Sequence, residues 1–98
     1  MTMALVPSLS PEARVRISPS VYARSFGDET VLLDFGRGEY FGLDAVGGEI
    51  WRALERGEPL RAVADGLTRV FEVSSEQALD DVGMLVSHMI DQGLLVVV

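Results

Sequence analysis

The sequence predicts an α+β fold, a three-stranded antiparallel sheet followed by three helices. Three observations carry that expectation. Between Val21 and Leu43, short β-prone runs alternate with Gly-marked turns. From Ala45 onward, apolar residues recur at helical spacing in three successive blocks. Stop and start signals at Gly57-Glu58-Pro59 and at Ser74 separate those blocks.

Each element has its own local reason. Val21 to Phe26 reads as a strand, turned by Gly27-Asp28-Glu29. Thr30 to Asp34 follows as a second, strongly β-prone strand. Phe35-Gly36-Arg37-Gly38 makes the next turn, and Glu39 to Leu43 is the third strand. Sequential hairpins give a meander, so the first and third strands are its edges. Asp44 stands where a helix N-cap belongs, and Val46, Ile50, Trp51 and Leu54 share one face of the helix from Ala45 to Glu55. Gly47 and Gly48 each cost that helix about 1 kcal/mol relative to Ala, which points to close packing against the sheet.

Pro59 opens a second helix, in which Leu60, Val63, Ala64, Leu67, Val70 and Phe71 form one apolar face. Ser74-Ser75-Glu76-Gln77 matches a capping box for a third helix that reaches to about Gln92. Its stripe is Leu79, Val82, Leu85, Val86, Met89 and Ile90; Gly93 ends it. Leu94 to Val98 is an apolar tail expected to pair with, or pack on, the body. Residues 1–13, with their prolines and serines, read as a flexible tail ahead of a folded domain over residues 14–98. Loose pairing with the body is expected near Val15 and Ile17. The whole resembles a winged helix with its β-part moved to the front.

Composition narrows the chemistry. Ninety-eight residues, 48% hydrophobic and 23% charged, fit one globular domain. No apolar run approaches the roughly 20 residues that cross a bilayer. The N-terminus lacks a basic stretch and a sustained apolar core, so no membrane partner and a cytoplasmic location are expected. There is no cysteine, which excludes disulfides, thiolate zinc sites, iron–sulfur clusters and cysteine nucleophiles. A single histidine, His88, leaves a metal site or a His-based triad short of members. The net charge is -7, and all eight basic residues are arginine. That balance works against nucleic-acid binding and favours basic partners.

The remaining constellations reduce to structure. Asp28-Glu29 and Asp80-Asp81 lack the Gly-punctuated loop of a calcium site and read as solvated charge. The serines have no GxSxG or SxxK context. Gly36-x-Gly38 lies in a hairpin, not ahead of a helix, so it is a turn and no phosphate loop. No catalytic, cofactor-binding or metal-binding residue is expected.

What remains is the edge Glu39-Tyr40-Phe41-Gly42-Leu43. Alternation puts Glu39, Phe41 and Leu43 on the helix-facing side, with Tyr40 and Gly42 opposite. If the third helix crosses beside this edge, a groove opens. Its floor is Phe41 and Leu85, with Asp81 and His88 on the rim. The plain alternative is an ordinary edge strand sealed by its own tail or by a partner subunit.

The succession YFGLDAVGGEIWRAL, then Gly57 and a short helix, then FEVSSEQALDDVGMLVSHMIDQGLL, resembles the PqqD-like family. These are small recognition domains for the leader peptides of ribosomally made, modified peptides (RiPPs). Over roughly Val15 to Val98 the chain looks like the stand-alone recognition proteins of lasso peptide biosynthesis. The resemblance implies a winged-helix-like fold and a precursor's leader peptide added as a strand beside the third strand. Glu39, Tyr40, Phe41, Gly42 and Leu43 would supply main-chain bonds, while Asp81, Leu85, His88 and Met89 line the cleft. Leaders of this kind commonly offer a tyrosine, a proline and a leucine, and are often basic. The resemblance further implies handover to a separate cysteine leader peptidase, acting in trans, with the core passing to an ATP-dependent cyclase.

Three other readings compete. A winged-helix transcription regulator needs a basic recognition helix, and Ser75 to Gln92 contains no Lys or Arg. A small enzyme lacks the residues. A PqqD-like chaperone for a different maturase, such as a radical-based one, has the same sequence signature.

Overall fold

In the computed structural model, which describes residues 9–98, the chain runs β1 (Val15–Ile17), β2 (Val21–Phe26), β3 (Glu29–Asp34), β4 (Glu39–Leu43), α1 (Ala45–Glu55), α2 (Leu60–Val70), α3 (Ser75–Asp91) and β5 (Leu95–Val97). Three strands, β2-β3-β4, form the expected antiparallel meander. The pair Phe26↔Glu29 closes a two-residue turn, one residue tighter than the sequence pattern suggests. Inward-facing Leu32 is fully buried, Leu43 is buried, and Phe41 packs on the core at partial exposure.

Two polar side chains, Thr30 and Asp34, are also buried in this sheet. Burying a polar group costs free energy unless its bonds are made. Asp34 Oδ1 accepts from Ser20 Oγ at 3.0 Å, from the Gly36 amide at 3.0 Å and from the Arg37 amide at 3.4 Å. The carboxyl thus folds the β3–β4 turn around itself and fixes where β4 begins.

The first helix starts as its sequence requires, with Asp44 Oδ1 accepting from the Gly47 amide at 2.8 Å. Its glycines are there for contact. A Cβ on Gly48 would lie 2.8 Å from Thr30 Oγ1, and one on Gly47 3.2 Å from Leu43 Cβ. The helix therefore seats directly on β3 and β4, burying Ile50, Trp51 and Leu54.

In α2, Leu60, Val63, Ala64 and Leu67 are buried, as the periodicity predicts. Val70 departs from it, at 59% exposure, because the helix stops there and Phe71 is extended. Pro59 offers no side-chain cap, and residues of the expected tail supply one. The Leu60 amide donates to the Ala13 carbonyl at 3.0 Å and the Arg61 amide to the Pro11 carbonyl at 2.7 Å. Leu9 packs against the core beside them. The first eight residues of that tail lie outside the described residues.

The cap of α3 forms on one side only. Ser74 Oγ accepts from the Gln77 amide at 3.1 Å, but Gln77 Nε2 reaches forward to Asp81 Oδ1 at 2.8 Å. The reciprocal half of a capping box is thus absent. Ala78, Val82, Val86 and Met89 are buried. At the other end the Leu94 amide returns to the Met89 carbonyl at 2.9 Å and reverses the chain. The apolar tail then pairs as β5, antiparallel to β1, in the register Val15↔Val97, Arg16↔Val96 and Ile17↔Leu95. This second, two-stranded sheet is separate from the meander.

Two helical glycines test the packing in opposite directions. Gly48→Ala is expected to destabilise the protein by about 1–3 kcal/mol, because Thr30 has to yield. Gly66 lies inside α2 with open space where a Cβ would go. Gly66→Ala should raise stability by up to about 1 kcal/mol. Urea unfolding of both variants decides; a neutral Gly48→Ala contradicts the seating of α1 on β3.

Candidate functional site

The site grows from a strand with one partner. Among the described residues β4 pairs only with β3, and neither β1 nor β5 approaches its outer edge as a strand. Backbone N–H and C=O groups on such an edge have no ladder to join. Beside it runs α3, and the space between them forms two adjoining pockets.

One pocket, about 380 Å³, lies between β4 and the last turns of α3. Tyr40, Phe41, Gly42 and Leu43 form one wall, Leu85, His88 and Met89 the other. Leu32 and Leu94 close its base. The second, about 450 Å³, continues toward α1 and is lined by Gly42, Leu43, Asp44, Val46, Gly47, Ile50, Asp81 and Leu85. Leu85, half-buried, belongs to both and divides them. Gly42 also belongs to both, and a Cβ there would meet no atom within 4 Å.

All but one of the residues that the sequence singles out thus meet in these walls. The exception is Glu39, which lines neither pocket and sits 3.6 Å from Arg37 Nε. Tyr40 stands on the outer face of the sheet at 77% exposure, as alternation requires. Met89, almost fully buried, is floor more than rim, whereas His88 is exposed at the mouth. Asp81 is half-buried and holds the Gln77 amide group with one oxygen.

The structure adds residues that periodicity did not mark for the site. Leu32 comes from the central strand and Leu94 follows the helix stop; in sequence the first is one residue of a strand and the second opens an apolar tail. Asp44 reads as a cap only, yet it brings a second carboxylate to the pocket that Asp81 borders. Chemically the cleft offers main-chain bonding groups along one side, apolar pockets along the other and acidic groups at one end. Among the described residues no group of three metal-ligating side chains occurs, and no helix is long and apolar enough to cross a membrane.

An open strand edge facing a helix, in a small winged-helix-like α+β domain, is an arrangement to which an extended peptide can add as a further strand. Residues 29–95 match the family described as coenzyme PQQ synthesis protein D, and the chain belongs to this PqqD family. Two solved structures resemble it closely. One is described as TbiB1 in complex with the TbiA(beta) leader peptide: 34% identity over 82% of this chain and 93% of that chain, TM-score 0.77. The other is lasso peptide synthetase B1 complexed with the leader peptide: 30% identity over 86% of this chain and 99% of that chain, TM-score 0.78. No curated protein matches.

Asp34 anchors the turn from which β4 departs. Asp34→Ala leaves two turn amides and a serine hydroxyl without their acceptor and is expected to cost about 2–3 kcal/mol. Chemical denaturation measures this; an unchanged midpoint would show that the turn holds β4 without the carboxyl.

Proposed function

We propose that this protein is a non-catalytic adaptor that binds the leader segment of a ribosomally made precursor by strand addition. The leader adds to the outer edge of β4, in the cleft shared with α3. Acting in the cytoplasm, the adaptor presents the precursor to a separate cysteine leader peptidase, and the trimmed core goes on to an ATP-dependent cyclase. The precursor class favoured is that of lasso peptides. One observation carries the reading: the apolar tail that could have sealed β4 pairs with β1 instead. The likeness to two proteins solved with leader peptides supports it from outside the chain.

The physics divides affinity from selectivity. Main-chain bonds along β4 are indifferent to sequence, and each contributes about 0.5–1.5 kcal/mol net. Successive side chains of an added strand point alternately toward and away from α3. Those pointing inward meet the two pockets on either side of Leu85, and a buried aromatic or leucine there dominates the discrimination. The surface charge of -7 brings a basic leader in and tunes the encounter rate.

Two substitutions separate binding from folding. Leu85→Asp puts a carboxylate between the pockets and is expected to abolish leader binding in calorimetry while the far-UV spectrum stays native. Gly42→Val fills open space and supplies a β-branched residue to a strand, so stability should hold or rise. Leader affinity should nevertheless fall, because a strand glycine marks a place where another backbone approaches closely, and the branched side chain hinders that approach. Unchanged affinity in both variants removes the cleft from the site. Raising salt from about 0.05 M to about 0.5 M should weaken binding of a basic leader roughly threefold to tenfold. A flat salt titration means that net charge plays no part.

A further inference from the structure

The tip of the β3–β4 hairpin reaches α3 through one side chain. Arg37 Nη1 donates to the Gln92 carbonyl at 2.7 Å, and Arg37 Nε lies 3.6 Å from Glu39 Oε1. Gln92 is the C-cap of α3, where helix carbonyls run out of internal partners and the helix dipole presents its negative end. A guanidinium suits that place, being a fixed cation with several directed donors. Glu39 is the first residue of β4. One side chain therefore grips the start of one cleft wall and the end of the other.

The room for this grip is built in. Gly93, next after the cap, has φ +78°, and a Cβ there would come within 3.1 Å of Arg37 Nη1. Elsewhere the two walls are poorly knitted to each other. β4 packs chiefly on β3 and α1, and α3 chiefly on α2 and β5. The pockets occupy the space where interdigitated side chains would otherwise set the spacing.

We propose that Arg37 is a positioning residue, a clamp that sets the distance between β4 and α3 and hence the width of the peptide cleft. The inference rests on the peptide-binding reading above and names the residue that preorganises that site. Because the Arg37 side chain is 53% exposed, its contacts add little to global stability. Their effect is on the population of clefts that are wide enough, and no wider, for an added strand. Loss of the clamp lowers apparent affinity by the fraction of time spent at that width.

The sign of the effect separates the clamp from simple charge. Arg37→Ala makes the protein one unit more acidic, and long-range attraction alone would then tighten a basic leader. The clamp demands the reverse, a roughly threefold to tenfold loss of affinity. Arg37→Lys keeps the charge and one donor to Gln92 and should recover part of it.

The absence of cysteine allows a direct measurement. Spin labels on Tyr40→Cys and Met84→Cys, both exposed positions, report the separation of β4 and α3 by double electron–electron resonance without any ligand. A single narrow distance distribution is expected with Arg37, a broad one with Arg37→Ala and an intermediate one with Arg37→Lys. In parallel, the unlabelled proteins are titrated with the TbiA(β) leader peptide and melted thermally. Equal distributions overturn the clamp, as does a broadened one with unchanged or tighter binding. A large drop in melting temperature for Arg37→Ala also overturns it, by making the residue an ordinary structural one. If the unsubstituted protein binds no leader, the peptide-binding reading fails, and the label distances still decide the clamp.

Discussion

The pairing of β5 with β1 governs what the rest of the molecule can do. An apolar segment such as Leu94–Val98 has to cover itself, and the open edge of β4 would have been a natural host. The chain reversal after α3 sends the segment the other way. Gly93 and Leu94 return their amides to Ile90 and Met89, Leu94 and Leu95 are buried, and the ladder to β1 closes with Ser18 donating to Leu94 and Val98 donating to Arg14, both at 3.0 Å. The terminal strand is thereby committed, and the outer edge of β4 remains unpaired among the described residues. A free edge is a hazard, because another chain can pair with it. Here it is short, carries Glu39 at its start and is weakened by Gly42, features that discourage self-association without closing the edge.

Contacts that build the fold also shape the β4 side of the cleft. Asp34 fixes the turn into β4, the glycines of α1 let that helix seat on β3 and β4, and Asp44 both caps α1 and borders the cleft. The same residues thus serve fold and site, which explains why so small a domain can present a shaped groove. The pocket walls contain side chains such as Leu85 and His88 that carry little of the core, and the two elements that bear them and face them, α3 and β4, touch each other sparingly.

Much of this was readable in the residues, for identifiable reasons. Strand positions followed from alternation and turn glycines, helix limits from Asp44, Pro59, Ser74 and Gly93, and the close packing at Gly47-Gly48 from their cost in a helix. The expected edge residues do line the cleft, Glu39 excepted. What escaped was tertiary. The partner of a three-residue strand is not written in its local pattern, so β1 and β5 could be placed only as loose pairing. The Gln77 side chain could accept from the Ser74 amide or donate to Asp81, and it does the second, a choice that no motif encodes. Val70 fits the helical face by spacing, yet it falls where the helix ends. Arg37 spans 55 positions to Gln92, and in sequence it is one charged residue in a turn.

Strand addition at β4 makes a demand on individual amides that no other mode of binding makes. Hydrogen–deuterium exchange, read residue by residue with and without a bound leader, should show new protection concentrated in Glu39–Leu43, with β1 and β5 unchanged. Protection that appears along Val15–Ile17 and Leu95–Val97, or on α3 alone while the β4 amides keep exchanging freely, contradicts the account.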